Sequence, residues 1–231
     1  MANHNGKDYI YLVWKDPKTR EQILIGQLSK NGQYEFQYDF DIKKAIDKGF
    51  KCLIAFDDIK TKYTSNRLFP TFSSRIPDRR RKDINEILDK YGLDNYDEYE
   101  LLKKSGGILP IDDLVFIDPI LEEKENPIKR DFNIAGPRHY LGCDGYKCVK
   151  SMEMNISEKL LLERELDNEY DEYAIKVLTT NNKHIGYIPR YYNKELIECI
   201  NLGYSYEMKL LEYNRDKRCS ECLKVRLILK K

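Results

Sequence analysis

The chain has no apolar run near the ~20 residues that a membrane-spanning helix needs, and Met1 to Asp8 contain no apolar signal core. The expectation is a cytoplasmic protein with no membrane contact. Net charge is almost absent: 40 basic against 39 acidic side chains leave +1. That excludes a bulk field for polyanions, so any nucleic-acid contact has to be built locally. Internal repeats and low-complexity tracts are missing as well. Only three histidines occur, His4, His139 and His184. Six cysteines in a chain without a signal peptide read as free thiols rather than as a disulfide framework. What is plentiful is aromatic surface. Eighteen Tyr and eight Phe can offset the ordering entropy of folding, which argues against a disordered chain. The 231 residues suit one core or two small ones.

The clearest break is Glu122 to Pro127, charged and Pro-ended, which reads as a linker. The expected organisation is a first domain over 9–119, a linker over 120–131 and a second domain over 132–231. The first domain opens with β-formers at Tyr9–Lys15 and Gln22–Leu28. Asn31-Gly32 signals a two-residue hairpin, after which Tyr34, Phe36 and Tyr38 alternate with polar residues. Lys51–Phe56 reads as a further strand. Asp78 is positioned to cap a helix running to Tyr91, with Ile84, Ile87 and Leu88 on one face and Gly92 as the stop. A second helix spans about Tyr96–Lys104, and Leu114–Ile117 closes the unit as a strand. The second domain shows strand patterns at Phe132–Gly136, Lys159–Glu165, Ala174–Thr179, His184–Pro189, Tyr206–Tyr213 and Leu223–Leu229. Asn181-Asn182 is a turn. One amphipathic helix, about Asn193–Leu202, presents Leu196, Ile197 and Ile200. The fold class is therefore α+β: a small sheet with helices, then a small β-barrel with one or two helices.

In the second domain, Ile134-Ala135-Gly136-Pro137-Arg138-His139-Tyr140 precedes a segment of the form Arg-Glu-x-x-Asn-x-Tyr-Asp-x-x-Ala-Ile-x-Val at Arg164–Val177. Ile185-Gly186-Tyr187-Ile188-Pro189-Arg190 comes next. In order and spacing this resembles the HIRAN domain, a small β-barrel family whose characterised members bind single-stranded DNA and favour a free 3′ end. The resemblance implies that Arg138 meets the phosphate backbone, Tyr170 stacks a base, and Asp171 accepts a hydrogen bond from the terminal 3′-hydroxyl. It places Tyr187 near the same pocket and Tyr140 beside the arginine. His139 stands where the family often has Tyr. The chemistry is coherent without the name. An exposed aromatic offers a stacking face, arginine a planar permanent cation, and a carboxylate repels phosphate and so selects an end that lacks one. The plain alternative is that Asp171 caps the turn before Ala174 and that Tyr170 and Tyr140 are core.

In the first domain, Ile25-Gly26-Gln27-Leu28, Tyr34-Glu35-Phe36-Gln37-Tyr38, Leu68-Phe69-Pro70 and Leu101-Leu102-Lys103-Lys104-Ser105-Gly106-Gly107 occur in an order that resembles the N-terminal subdomain of the HipA Ser/Thr-kinase toxins. That subdomain carries no catalytic residue. The resemblance allows a partnership with a separately encoded HipA-type kinase. The kinase's own nucleotide loop, catalytic Asp and metal-binding Asp have no counterpart here. Arg75 with Arg79, Arg80, Arg81 and Lys82 is the densest basic cluster. A secondary nucleic-acid patch at Arg79–Arg81 competes with the favoured reading, a solvated helix face paired locally to Asp78 and Asp83.

Cys219-x-x-Cys222 and Cys143-x4-Cys148 supply four thiolates that could form a tetrahedral zinc site, although the 143–148 spacing is unusual for one. A Cys–His nucleophile near His139 lacks a recognisable oxyanion hole. The expectation is thus a non-enzymatic protein without a cofactor or metal, binding single-stranded DNA or its 3′ ends and coupled to a protein partner.

Overall fold

The computed structural model describes residues 8–231 apart from 20, 40, 121–126, 144–153, 218 and 220. Two compact units emerge, Met1–Pro119 and Ile120–Lys231. Six helices lie among the described residues, and none is long and apolar enough to cross a membrane.

The first unit is a five-stranded antiparallel sheet packed with helices. Its strands are β1 (Asp8–Lys15), β2 (Gln22–Asn31), β3 (Gln33–Tyr38), β4 (Lys62–Ser65) and β5 (Leu114–Ile117), in the order β4-β3-β2-β1-β5. Four helices, α1 (Ile42–Asp47), α2 (Pro70–Ser73), α3 (Ile84–Tyr91) and α4 (Glu98–Ser105), complete it. Period-two alternation turns Ile10, Leu12 and Trp14 of β1, with Phe36 and Tyr38 of β3, into one core with Leu101 and Leu102 of α4. Its centre is aromatic. Phe36 lies 4.6 Å from Phe56 and 5.1 Å from Phe72, and Phe72 lies 5.0 Å from Phe116.

Several local expectations are corrected here. The hairpin register pairs Lys30 with Tyr34 and Asn31 with Gln33. The turn is therefore centred on Gly32, at φ +77°, and is not a two-residue turn. Lys51–Phe56 is no strand: the Leu53 N–H donates to the Tyr38 hydroxyl, and the Phe56 N–H to the Leu53 carbonyl. Burial of the Phe56 ring in the core holds this segment as a turn, and Ile54 is left fully exposed. Asp78 caps no helix. Its carboxylate takes the Arg80 N–H and guanidinium, and α3 begins only at Ile84. Gly92 does end α3, in the left-handed region at φ +66°.

The second unit is a six-stranded antiparallel sheet curled into a half-barrel. Its strands are β6 (Ile128–Asn133), β7 (Lys159–Arg164), β8 (Ile175–Thr179), β9 (His184–Tyr187), β10 (Ser205–Tyr213) and β11 (Leu223–Lys230), with helices α5 (Arg138–Leu141) and α6 (Arg190–Asn201). Strand order is β6-β11-β10-β7-β8-β9. The first strand starts at Ile128, inside the expected linker. The chain just after β6 returns to β9 through one bridge, in which Ala135 and Tyr187 exchange N–H···O bonds of 2.8 and 2.9 Å. Helix α6 starts three residues earlier than its expected Asn193. Its buried face is Tyr192, Asn193, Leu196 and Cys199, while Ile200 is exposed. The i, i+4, i+7 spacing from Tyr192 defines that stripe.

Candidate nucleic-acid interface

The loop from β7 to β8 is closed at its base, where the Glu165 N–H donates to the Ala174 carbonyl at 2.9 Å. Within it the Asn168 side-chain oxygen accepts from the N–H groups of both Tyr170 and Asp171 at 3.0 Å. This is the turn that an Asn favours by taking backbone donors two and three residues ahead. The Asp171 carboxylate repeats the device by accepting from the Tyr173 N–H. Two consecutive side-chain-to-backbone turns thus hold a bend on which Tyr170 is 86% exposed. The alternative that made Tyr170 a core residue is corrected, because its ring faces solvent. Asp171 is half-buried and does brace the turn. Its second oxygen accepts from the Asn193 amide of α6 at 2.7 Å.

The other candidates stand on α5 and β9. Gly136 at φ +66° and Gly142 at φ +70° bracket the single turn of α5. Arg138 and His139 are exposed on it, and the Arg138 Nε–H donates to His139 Nε2 at 3.1 Å. Tyr140 turns inward, and its ring lies 3.8 Å from the His184 imidazole at a tilt of 34°. The Tyr140 hydroxyl donates to that of Tyr187 at 3.3 Å, and the Tyr187 hydroxyl donates to Glu165 at 2.7 Å. Glu165 also accepts from the Asn168 amide at 2.6 Å and pairs with Lys176 at 2.9 Å.

One hydrogen-bond chain therefore runs Tyr140, Tyr187, Glu165, Asn168 and into the amides of Tyr170 and Asp171. Through Glu165 and Asn168 it joins residues that lie in separate motifs of the sequence. Sequence alone singles out neither of those two as a site residue, nor His184 or Asn193. The Asn-x-Tyr-Asp spacing carries the turn signal that would have pointed to Asn168. Nothing local marks Glu165, whose partners come from β8, β9 and the loop.

Hydrogen bonds from Lys176, Asn168 and Tyr187 hold the Glu165 carboxyl down at about 2. Burial, with a smaller push from Lys176, lowers the His184 imidazole from its ordinary 6.5. Both folded-state values lie below those of the unfolded chain, so the unfolded state binds more protons on acidification. The stabilisation is complete above the unfolded values and declines in two steps as pH falls. The first step starts near 6.5 for His184, and the second runs from about 4.5 toward 2 for Glu165. In urea titrations monitored by circular dichroism, the midpoint of the second unit should fall through both windows. Glu165→Gln should flatten the lower one.

The basic cluster divides. Arg80 pairs with Asp78 at 2.8 Å and Arg81 with Asp83 at 2.7 Å, in turns rather than on the expected helix face. Arg79 is exposed beside them. Arg75 is buried and structural. Of the thiols, Cys219 and Cys222 are buried, with the Cys222 thiol donating to the Cys219 carbonyl at 3.2 Å. Cys143 is half-buried, and Cys148 lies outside the described residues. Among the described residues no group of three or more His, Cys, Asp or Glu side chains could hold a metal ion.

Comparison with known proteins matches residues 130–229 to the HIRAN domain and residues 20–110 to the HipA N-terminal domain. Two similar solved structures are the HIRAN domain of human HLTF and a protein from Lactobacillus plantarum. The first is 20% identical over 44% of this chain and 74% of that one, with a TM-score of 0.31. The second is 22% identical over 45% of this chain and 93% of that one, with a TM-score of 0.35. No curated protein matches the chain. The protein thus joins a HipA N-terminal domain to a HIRAN domain.

Proposed function

We propose that this protein acts by binding rather than by chemistry. Its HIRAN domain takes single-stranded DNA at a 3′ end, and its HipA N-terminal domain couples that event to a protein partner. The observation that carries the reading is Tyr170, an aromatic face held out to solvent on a loop braced from both sides. A solvent-facing ring carried on a braced backbone offers a base a stacking face without rearrangement of the loop. Arg138 supplies an exposed guanidinium for a phosphate. Asp171 supplies the selective element, since a carboxylate accepts from a hydroxyl and repels a terminal phosphate. His139, Tyr140 and Tyr187 form the aromatic flank. Arg79, Arg80 and Arg81 form an exposed secondary basic patch in which the last two are paired locally with Asp78 and Asp83.

Fluorescence anisotropy with short labelled oligonucleotides tests the proposal. Tyr170→Ala should weaken binding of every oligonucleotide by roughly ten- to a hundredfold, the equivalent of one lost base stack of ~1–3 kcal/mol. Because the ring is exposed, the unfolding midpoint should not move. Unchanged affinity would remove the DNA-binding reading.

The HipA N-terminal match over residues 20–110 favours a second reading. In it the chain is an antitoxin-like or regulatory subunit that contacts a separately encoded HipA-type kinase, with the HIRAN fold as a scaffold. Co-purification with such a kinase, undisturbed by Tyr170→Ala, would support it. Absence of any complex would count against it.

A further inference from the structure

The selectivity proposed for Asp171 requires its carboxylate to be held in one orientation. Resting on that reading, we infer that Asn193 is the positioning residue that orients it. Asn193 sits in the first part of α6 at 2% exposure, and its amide nitrogen donates to one Asp171 oxygen at 2.7 Å. The amide oxygen of the same side chain is buried with no hydrogen-bond partner among the described residues. The amide cannot turn round to relieve this, because its oxygen would then face a carboxylate oxygen. A buried acceptor without a donor costs stability, and an apolar residue of similar volume would avoid that cost. As a core residue, asparagine is thus a poor choice here.

What the amide accomplishes is local. The Tyr173 N–H holds one Asp171 oxygen, Asn193 holds the other, and the Asp171 N–H is tied to Asn168. The residue is fixed at three points, and the half-exposed edge of its carboxylate keeps acceptor capacity for one more donor. Without Asn193, only the Tyr173 N–H holds the carboxylate, which then turns about that one bond and offers a hydroxyl donor a less fixed acceptor. Binding through Tyr170 does not depend on that geometry.

The test compares the full chain with Asn193→Leu, using one 5′-labelled oligothymidine that ends in either a 3′-hydroxyl or a 3′-phosphate. The wild type should favour the hydroxyl end by roughly tenfold, and Asn193→Leu should reduce this to within about twofold. Affinity for the phosphate-ended strand should stay within about twofold and the unfolding midpoint should not fall. A merely structural asparagine would shift both affinities in parallel and lower the midpoint. Retention of the preference in Asn193→Leu overturns the inference and leaves the DNA-binding reading intact. A wild type that binds both ends equally overturns end recognition and this inference together, whereas Tyr170→Ala reports separately on whether the pocket binds DNA. If the leucine variant does not fold, Asn193→Ser serves instead, being polar but too short to reach Asp171.

Discussion

Gly186→Ala should destabilise the second unit by about 3 kcal/mol. The position has φ +141°, a region closed to side chains with a Cβ. A Cβ there would stand 2.5 Å from the Ile134 Cγ2 and 2.6 Å from the Ala135 carbonyl oxygen. The second contact is with backbone, so rotating a side chain cannot relieve it. Ala135 is also the partner of Tyr187 in the bridge that returns the chain after β6 to β9. Separating these segments would break both bridge hydrogen bonds and move Tyr187, which anchors Glu165 and through it the Asn168 turn. One methyl group is therefore expected to reach the proposed DNA site. Amide hydrogen exchange should show protection lost first at Ala135, Tyr187 and the loop over 165–174, and oligonucleotide affinity should fall with it. A variant with wild-type protection at Ala135 and Tyr187 would refute this account of the closure.

Arg75→Met should cost the first unit about 3 kcal/mol. Arg75 is 9% exposed and makes four contacts through one guanidinium. It holds Asp112 with two bonds of 2.6 and 2.8 Å and donates to the carbonyls of Gly107 and Leu114 at 2.8 and 3.1 Å. It thereby ties the end of α2 to the segment that leads from α4 into β5. Burial raises the Asp112 carboxyl, but the Arg75 hydrogen bonds, the Leu114 N–H and the charge of Arg75 together hold the group below its ordinary value. Removing the guanidinium leaves the half-buried Asp112 carboxylate with only the Leu114 N–H and takes the side-chain donor from two carbonyls, and unmet acceptors are what make such losses large. Trp14, the sole tryptophan, is buried in the same core, so its fluorescence follows this unit through a urea titration. Arg75→Lys should recover little, since an ammonium cannot span the fork of acceptors. A midpoint within error of the wild type would show the cluster to be dispensable.

Local signals carried part of this protein's architecture in plain view. Tyr9–Lys15 was legible as a strand from its run of β-formers, which both faces of β1 bury, and Tyr34–Tyr38 from its alternation, because a strand's inside and outside are written two residues apart. The stop of α3 at Gly92 was legible because a left-handed residue is needed there. The motif from Arg164 to Val177 was equally local, and with Arg138 and Tyr187 it sufficed to indicate a HIRAN domain and to nominate Tyr170 and Asp171. Lys51–Phe56 misled because its β-forming residues obey a different demand, the burial of Phe56 among rings from β3 and α2. Arg75 looked like one member of a basic cluster because its acceptors lie more than thirty residues away in sequence.

By itself, then, the sequence determined the strand-rich α+β class, the two kinds of domain and the bend at Asn168–Asp171, all of which rest on interactions within a few residues. Only the tertiary structure decided that Tyr170 faces solvent, that Glu165 links Tyr187 to Asn168, and that Asn193 grips Asp171. Those outcomes depend on which strands close the half-barrel and on where α6 then comes to rest. The contacts of Glu165 with Tyr187 and of Asp171 with Asn193 each join residues 22 positions apart, and no local propensity encodes them.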